Sequence, residues 1–391
     1  MARRVGLEVS LACAEAVKLA NADVVAAYPI TPQTHIVEHL AELVADGHLD
    51  AEFIPVESEH SAMSACIGSS AAGARTFTSS ASQGLALMHE MLYIASSMRL
   101  PIVMAVANRS LSGPISIWND HSDVMGERDT GWIQYFCENG QEVLDLTLTA
   151  FKIAEDPRVL LPVMVNMDGF ILTHVIEPIL MPEQAEVDAW LPPYVPQLCL
   201  DPAKPISMGM VGVPEVYTEA KRAQVQAIND SYPIILEHWA SFAKQFGRSY
   251  QPVESYRTED AEAVFVSMGS LSETIMSAVD EMRAAGQKVG VVRIRLWRPF
   301  PVAEFTKAVA KAETLVVIDR NLTFGAPAGP VATEVRALLF SQGIQKYVAN
   351  FEAGLGGRDV TRDQFKEMLA KAQKAKAAGQ DMTCEMVGVK E

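Results

Sequence analysis

Between residues 22 and 172, short blocks rich in β-branched and apolar residues alternate with longer stretches whose apolar positions recur every three or four residues. DVVAAYPI (23–30), AEFIPV (51–56), ARTFTSSAS (74–82), PIVMAVAN (101–108) and LLPVMVNMDG (160–169) predict strands. QTHIVEHLAELVADG (33–47), the small-residue stretch SEHSAMSACIGSSAAG (58–73), Met88–Met98 and Val143–Ile153 predict helices between them. Strands separated by helices build a parallel sheet covered on both faces, and strands buried on both faces read as near-continuous apolar runs. The expected fold class is α/β, with a doubly wound parallel sheet.

The pattern changes between about Ile176 and Ser255, where proline-rich LPPYVPQLCLDPAKP (191–205) precedes helical signals from Val213 to Phe246. This stretch is expected to be an arm and connector, not core. A second α/β unit starts near Ala261, with strands AVFVSMGS (263–270), KVGVVRIRLW (288–297) and TLVVIDRN (314–321). Helices ETIMSAVDEMRAAG (273–286) and VAEFTKAVAKA (302–312) separate them, and a Lys- and Ala-rich helical tail follows. The expected division is a domain over 1–255, including a connector over about 176–255, and a smaller α/β domain over 256–391.

The 391 residues suit two domains. Almost half are apolar, yet no run reaches the about 20 residues that a spanning helix needs, so a soluble protein is expected. Glu8 and Glu15 interrupt the apolar start where a signal peptide needs an unbroken segment, which implies a cytoplasmic location. A net charge of −16 opposes binding to nucleic-acid phosphates. Cys13, Cys66, Cys137, Cys199 and Cys384 are scattered with no CxxC pair, so an iron–sulfur cluster held by this chain alone is not expected.

Each candidate site has an ordinary structural explanation beside it. His35-Ile36-Val37-Glu38-His39 fits a zinc-protease pattern, but an amphipathic helix with exposed histidines explains it without a third ligand, and no metal is assigned. Ser267–Thr274 places a glycine between strand and helix, where backbone N–H groups can hold a phosphate, although a capped turn accounts for it as well. Tyr28-Pro29-Ile30-Thr31-Pro32 ends a strand at the edge where open α/β sheets bind ligands, or is merely a rigid turn. Glu59, with Glu57 as competitor, precedes a helix so poor in large side chains that another backbone must approach it; either is also an ordinary acidic residue at a helix N-terminus. Arg109 emerges at a strand's carboxyl end, where it can grip a carboxylate or form a structural ion pair.

YPITPQT, VESEHSAM, TSSASQGLALMHEM, NRSLSGPISIWNDHSD, RDTGWIQ and PVMVNMDGF, in this order and followed by RLWRPFP, resemble the α subunit of the 2-oxoacid:ferredoxin oxidoreductases, in the pyruvate branch. The resemblance implies a pyrimidine-type thiamine-diphosphate-binding first domain and a transketolase C-terminal-like second one. Thiamine diphosphate would be shared with a β subunit that holds its diphosphate and Mg²⁺, in keeping with the lack of a GDG segment here. Glu59 matches the family's carboxylate on the pyrimidine nitrogen, Arg109 and Thr31 its substrate residues. Pro29, Ile30, Ser82 and Gln83 would line the cofactor pocket, and Asn119 and Asp120 the substrate side.

The implied reaction converts pyruvate and coenzyme A to acetyl-CoA and CO₂, reversibly, with electrons passing to [4Fe-4S] clusters in γ and δ partners and to ferredoxin. Threonine where an oxalate-specific relative would carry a second arginine favours a monocarboxylate. The same chemistry on a branched-chain or other 2-oxoacid is the alternative, and a non-catalytic assembly subunit is the reading of another class. The second domain is expected to make subunit contacts with no catalytic part.

Overall fold

The computed structural model describes residues 3–390. In chain order the strands are β1 (Arg3–Glu8), β2 (Val24–Ala27), β3 (Glu52–Pro55), β4 (Thr76–Ser80), β5 (Ile102–Asn108), β6 (Ile133–Phe136), β7 (Val163–Asp168) and β8 (Ile176–Met181). There follow β9 (Val253–Tyr256), β10 (Ala263–Ser267), β11 (Val289–Ile294), β12 (Leu296–Arg298), β13 (Thr314–Asp319), β14 (Tyr347–Glu352) and β15 (Glu385–Met386). A seven-stranded sheet has the order β12-β6-β7-β5-β4-β2-β3, a six-stranded sheet the order β15-β14-β13-β10-β11-β9, and β1 pairs with β8. The large sheet is parallel apart from β12, and the smaller apart from β9.

Strands β2, β4, β5 and β7 are buried at every position, as their unbroken apolar or small-residue runs require. One face of the large sheet packs on the helices Val9–Leu19 and Gly140–Ala154. Its other face shares a single cluster with the second sheet, in which Met104, Val106 and Met164 join Val264, Val266 and Val317. The far side of the second sheet is closed by the tail helix Arg362–Ala377 through Phe365, Met368 and Leu369.

Three expectations change. KVGVVRIRLW is two strands: β11 stays in the second sheet, and after Arg295 the chain crosses so that β12 pairs antiparallel with β6 of the first. The stretch Pro214–Phe246 is one helix of 33 residues, and its second half is core. Ala227, Ile234, Ile235, Trp239 and Phe242 recur at helical spacing and are buried in the first cluster, so only the part before them is an arm. The α/β pattern also begins before Ala22, with β1 and the helix Val9–Leu19.

Candidate active site

β3, β2, β4, β5 and β7 lie side by side and parallel, so their carboxyl ends share one edge of the sheet. The residues singled out from sequence sit just beyond those ends: Tyr28–Pro32 after β2, Glu59 after β3, Ser82 and Gln83 after β4, Arg109 after β5. Crevices of open parallel sheets form at this edge.

Glu59 begins the helix Glu59–Ala71, which Ser58 caps by accepting from the Ser61 N–H at 3.2 Å. Glu59 is only 7 % exposed, whereas Glu57 is exposed and accepts from Ser61 Oγ at 2.8 Å, a bond that holds its carboxyl below the usual range. The inward-facing carboxylate is therefore Glu59. A Cβ at Gly84 would lie 2.6 Å from Glu59 Oε1 and 2.7 Å from Ser80 Oγ, so glycine alone lets the helix Ser82–Leu87 come this close. Among the described residues neither Ser80 Oγ nor Thr78 Oγ1, both buried, has a hydrogen-bond partner.

Ser82 turns the chain from β4 into that helix with φ of 48°. Its N–H donates to Asp123 Oδ2 at 3.0 Å and its hydroxyl to the Ser110 carbonyl at 2.6 Å. Asp123 also accepts from the Arg109 N–H at 2.9 Å, the Val124 N–H at 2.7 Å and Asn108 Nδ2 at 3.2 Å. Burial pushes its carboxyl up to about 7 against these donors. Sequence reasoning missed Asp123, because nothing in WNDHSD distinguishes the acid that turns inward.

Arg109 is 6 % exposed. Its Nε donates to the Ser116 carbonyl at 2.7 Å and its Nη1 to the Thr31 carbonyl at 2.9 Å, so Arg109 and Thr31 meet through backbone and not through the threonine hydroxyl. Thr31 and Pro29 are exposed and Ile30 is half-buried. Buried Gln33, also missed, anchors their loop: its Oε1 accepts from the Ile30 N–H at 3.1 Å and its Nε2 donates to the Ser79 carbonyl at 2.7 Å. Gln83 Nε2 donates to Ser112 Oγ.

Asn119 is fully buried, yet neither its Nδ2 nor its Oδ1 has a partner among the described residues. Asp120 accepts from Ser110 Oγ at 2.7 Å, Ser122 Oγ at 2.6 Å and the Gly356 N–H at 3.2 Å, and the Asn119 carbonyl accepts from the Gly357 N–H at 2.6 Å. The second unit thus presses its Leu355–Gly357 turn against this segment, a contact the sequence did not suggest.

The remaining candidates resolve structurally. His35 pairs with Glu8 at 2.6 Å and His39 with Glu15 at 3.0 Å, so the two histidines do not share a site. The Gly269–Ser270 turn does hold an anion, but that anion is Asp168 at the end of β7, which accepts from the Ser270 N–H at 2.9 Å. Asp168 also contacts Arg320 at 2.8 Å and His121 at 2.9 Å, and the Arg320 guanidinium together with these hydrogen bonds holds its carboxyl well below the usual range against full burial.

Residues 15–238 match the family model described as pyruvate flavodoxin/ferredoxin oxidoreductase, thiamine diP-bdg, and residues 261–365 match pyruvate:ferredoxin oxidoreductase core domain II. Pyruvate synthase subunit PorA of Pyrococcus furiosus is 52 % identical over 369 residues, covering 94 % of this chain and 93 % of the relative. PorA of Thermotoga maritima is 46 % identical with 94 % of each chain covered, and ketoisovalerate oxidoreductase subunit VorA of Pyrococcus abyssi is 44 % identical with 94 % of this chain and 93 % of the relative covered.

Among solved structures, 2-oxoglutarate:ferredoxin oxidoreductase from Magnetococcus marinus shares the fold with a TM-score of 0.72 at 19 % identity, over 95 % of this chain and 65 % of that one. A split-gene transketolase shares it with a TM-score of 0.54 at 12 % identity, over 95 % and 99 %. With an inward carboxylate at the carboxyl edge of a parallel sheet, both halves matched by family models and relatives aligned over nearly their full length, this chain belongs to the pyruvate flavodoxin/ferredoxin oxidoreductase family.

Proposed function

We propose that this chain is the cytoplasmic α subunit of a pyruvate:ferredoxin oxidoreductase that converts pyruvate and coenzyme A reversibly to acetyl-CoA and CO₂ while reducing ferredoxin. The observation that carries this reading is the burial of Glu59 against Gly84, at the one edge where the Tyr28–Pro32 loop and Arg109 also meet. The residues suit one end of thiamine diphosphate: a buried carboxylate for a ring nitrogen, and the unpartnered Ser80 hydroxyl and Asn119 amide nearby in sequence to the loops that line the edge. When bound, the cofactor supplies an acidic carbon and an electron sink for loss of CO₂.

Glu59 would hydrogen-bond the ring nitrogen through its carboxyl, and its burial keeps that contact away from water. Arg109 already spends Nε and Nη1 on the two loop carbonyls, which leaves Nη2 of its fork for a substrate carboxylate. Thr31 hydrogen-bonds the oxoacid through its hydroxyl and so orients it, while Pro29 and Ile30 of the same loop line the cofactor pocket. Ser82 and Gln83 wall the cofactor side, and Asn119 and Asp120 the substrate side.

Exposed Ile115 at 76 %, Ile117 at 42 % and Trp118 at 49 % flank Arg109's loop and support a β subunit that covers the edge and brings Mg²⁺. Electrons would leave through [4Fe-4S] clusters of γ and δ partners. We also propose the division into a domain over 1–255 and one over 256–391.

The test is pyruvate- and CoA-dependent viologen reduction by the co-expressed complex. Glu59→Gln should lower kcat by about 10²–10⁴-fold, and Arg109→Ala should raise KM for pyruvate. Wild-type activity in both variants would refute these roles. The VorA relative, only slightly less similar than PorA of T. maritima, favours one second reading, a branched-chain 2-oxoacid. Higher kcat/KM on 2-oxoisovalerate than on pyruvate would establish it, and a complex that binds thiamine diphosphate but turns over no oxoacid would indicate an assembly subunit.

A further inference from the structure

We propose that Glu8, His35 and His174 form a binding site for a Zn²⁺-type divalent metal, which staples β1, the helix Thr34–Ala45 and the segment after β7 together. Their ligand atoms all lie within 4.8 Å of one another, although the residues are far apart in sequence. Two imidazoles and one carboxylate are a ligand set that zinc accepts with a fourth position open. At about 2.0–2.1 Å from the metal, such ligand atoms sit roughly 3.3 Å apart, a spacing that small side-chain rotations reach from here.

The site is built by the backbone. Val9 N–H donates to the Val175 carbonyl at 3.1 Å, and Ser10 donates to the Thr173 carbonyl from N–H at 3.0 Å and from Oγ at 2.9 Å. The acceptors flank His174 and the donors directly follow Glu8 at the end of β1, so both residues are positioned whether or not a metal is present. His35 lies one residue inside its helix, with Nδ1 at 2.6 Å from Glu8 Oε1 and its ring 4.5 Å from that of His174.

His174 has the hydrogen bond that ligating histidines use. Thr173 Oγ1 accepts from the Phe170 N–H at 2.8 Å and lies 2.7 Å from His174 Nδ1. With Nδ1–H donating to that oxygen, Nε2 carries the free lone pair. All three residues are half-buried, and a cleft of about 280 Å³ lined by Thr31, Pro32, Thr34, His35, Glu38 and His174 gives the fourth position access to water.

Glu138, Glu142 and Glu254 are as closely grouped, but Arg293 and Arg295 already neutralise them, so no cation is needed there. Among the described residues no Arg or Lys pairs with Glu8, whose only ion-pair contact is with His35. His39, the other half of the HxxEH pattern, is engaged by Glu15 and lies outside the site.

The test titrates Zn²⁺ into the full chain against a chromophoric chelator, with exposed Cys384 replaced by Ser to remove a competing thiol. One Zn²⁺ per chain is expected, with affinity lowered by about 100-fold or more in His35→Ala and His174→Ala and unchanged in His39→Ala. Glu8→Gln keeps the size of the side chain and should weaken binding without disturbing the fold. Zn²⁺ should also raise Tm in the parent chain and in His39→Ala, and not in His35→Ala, His174→Ala or Glu8→Gln. No stoichiometric binding by the parent, or binding and a Tm shift that survive in His35→Ala, His174→Ala and Glu8→Gln, would overturn the site.

Discussion

Asp123 carries more of the edge geometry than any residue named from sequence. It accepts from the N–H groups of both Ser82 and Arg109, so one carboxylate fixes where β4 and β5 end. Its folded-state pKa, raised to about 7 by burial, lies above the ordinary aspartate value. For a group raised in this direction the stabilising contribution is complete below the unfolded pKa and is lost as pH rises through the folded one. The stability of the parent relative to Asp123→Asn should therefore fall between about pH 4 and about pH 7. Urea midpoints across that range measure it, and a pH-independent difference would show that Asp123 is already ionised throughout.

At the scale of elements, the site depends on how closely the helix Ser82–Leu87 approaches the helix Glu59–Ala71. Gly84→Ala would place a methyl 2.6–2.7 Å from Glu59 Oε1, Glu59 Cγ and Ser80 Oγ. We expect it to destabilise the chain by about 1–3 kcal/mol and to weaken thiamine diphosphate binding by displacing Glu59. Calorimetry and cofactor titration of the complex report the two effects, and an unchanged cofactor affinity would dissociate Gly84 from the site. The SQG turn was legible from sequence as a candidate, but the reason for its glycine was not. It lies in a side chain 25 positions earlier that only packing brings alongside.

For the whole molecule, the two sheets are joined by burial and by charge. Asp168 at the end of β7 meets Arg320 and His121 with all three almost wholly buried, and Glu142 meets Arg293 and Arg295 in the same way. Removing one member strands the others without solvent. Asp168→Ala should cost about 3–5 kcal/mol, read as a loss in unfolding free energy. A cost below about 1 kcal/mol would mean that water reaches Arg320 and that the union of the two units rests on the apolar cluster alone.

What the sequence determined by itself was periodic or local. Unbroken strand runs specified a parallel α/β sheet, the acid before a small-residue helix specified Glu59 or Glu57, and ordered motifs carried the family resemblance. The tertiary structure decided what depends on partners remote in the chain. It selected Glu59 over Glu57 by burial, recruited Asp123 and Gln33, sent β12 across to the first sheet, and gave Ser270's turn to Asp168. It also put Ile234, Ile235 and Trp239 into the core from a stretch whose prolines had marked it as an arm. Periodicity records which face of an element is apolar, whereas the identity of the surface that covers that face, or the charge that answers a buried carboxylate, exists only once distant segments have packed.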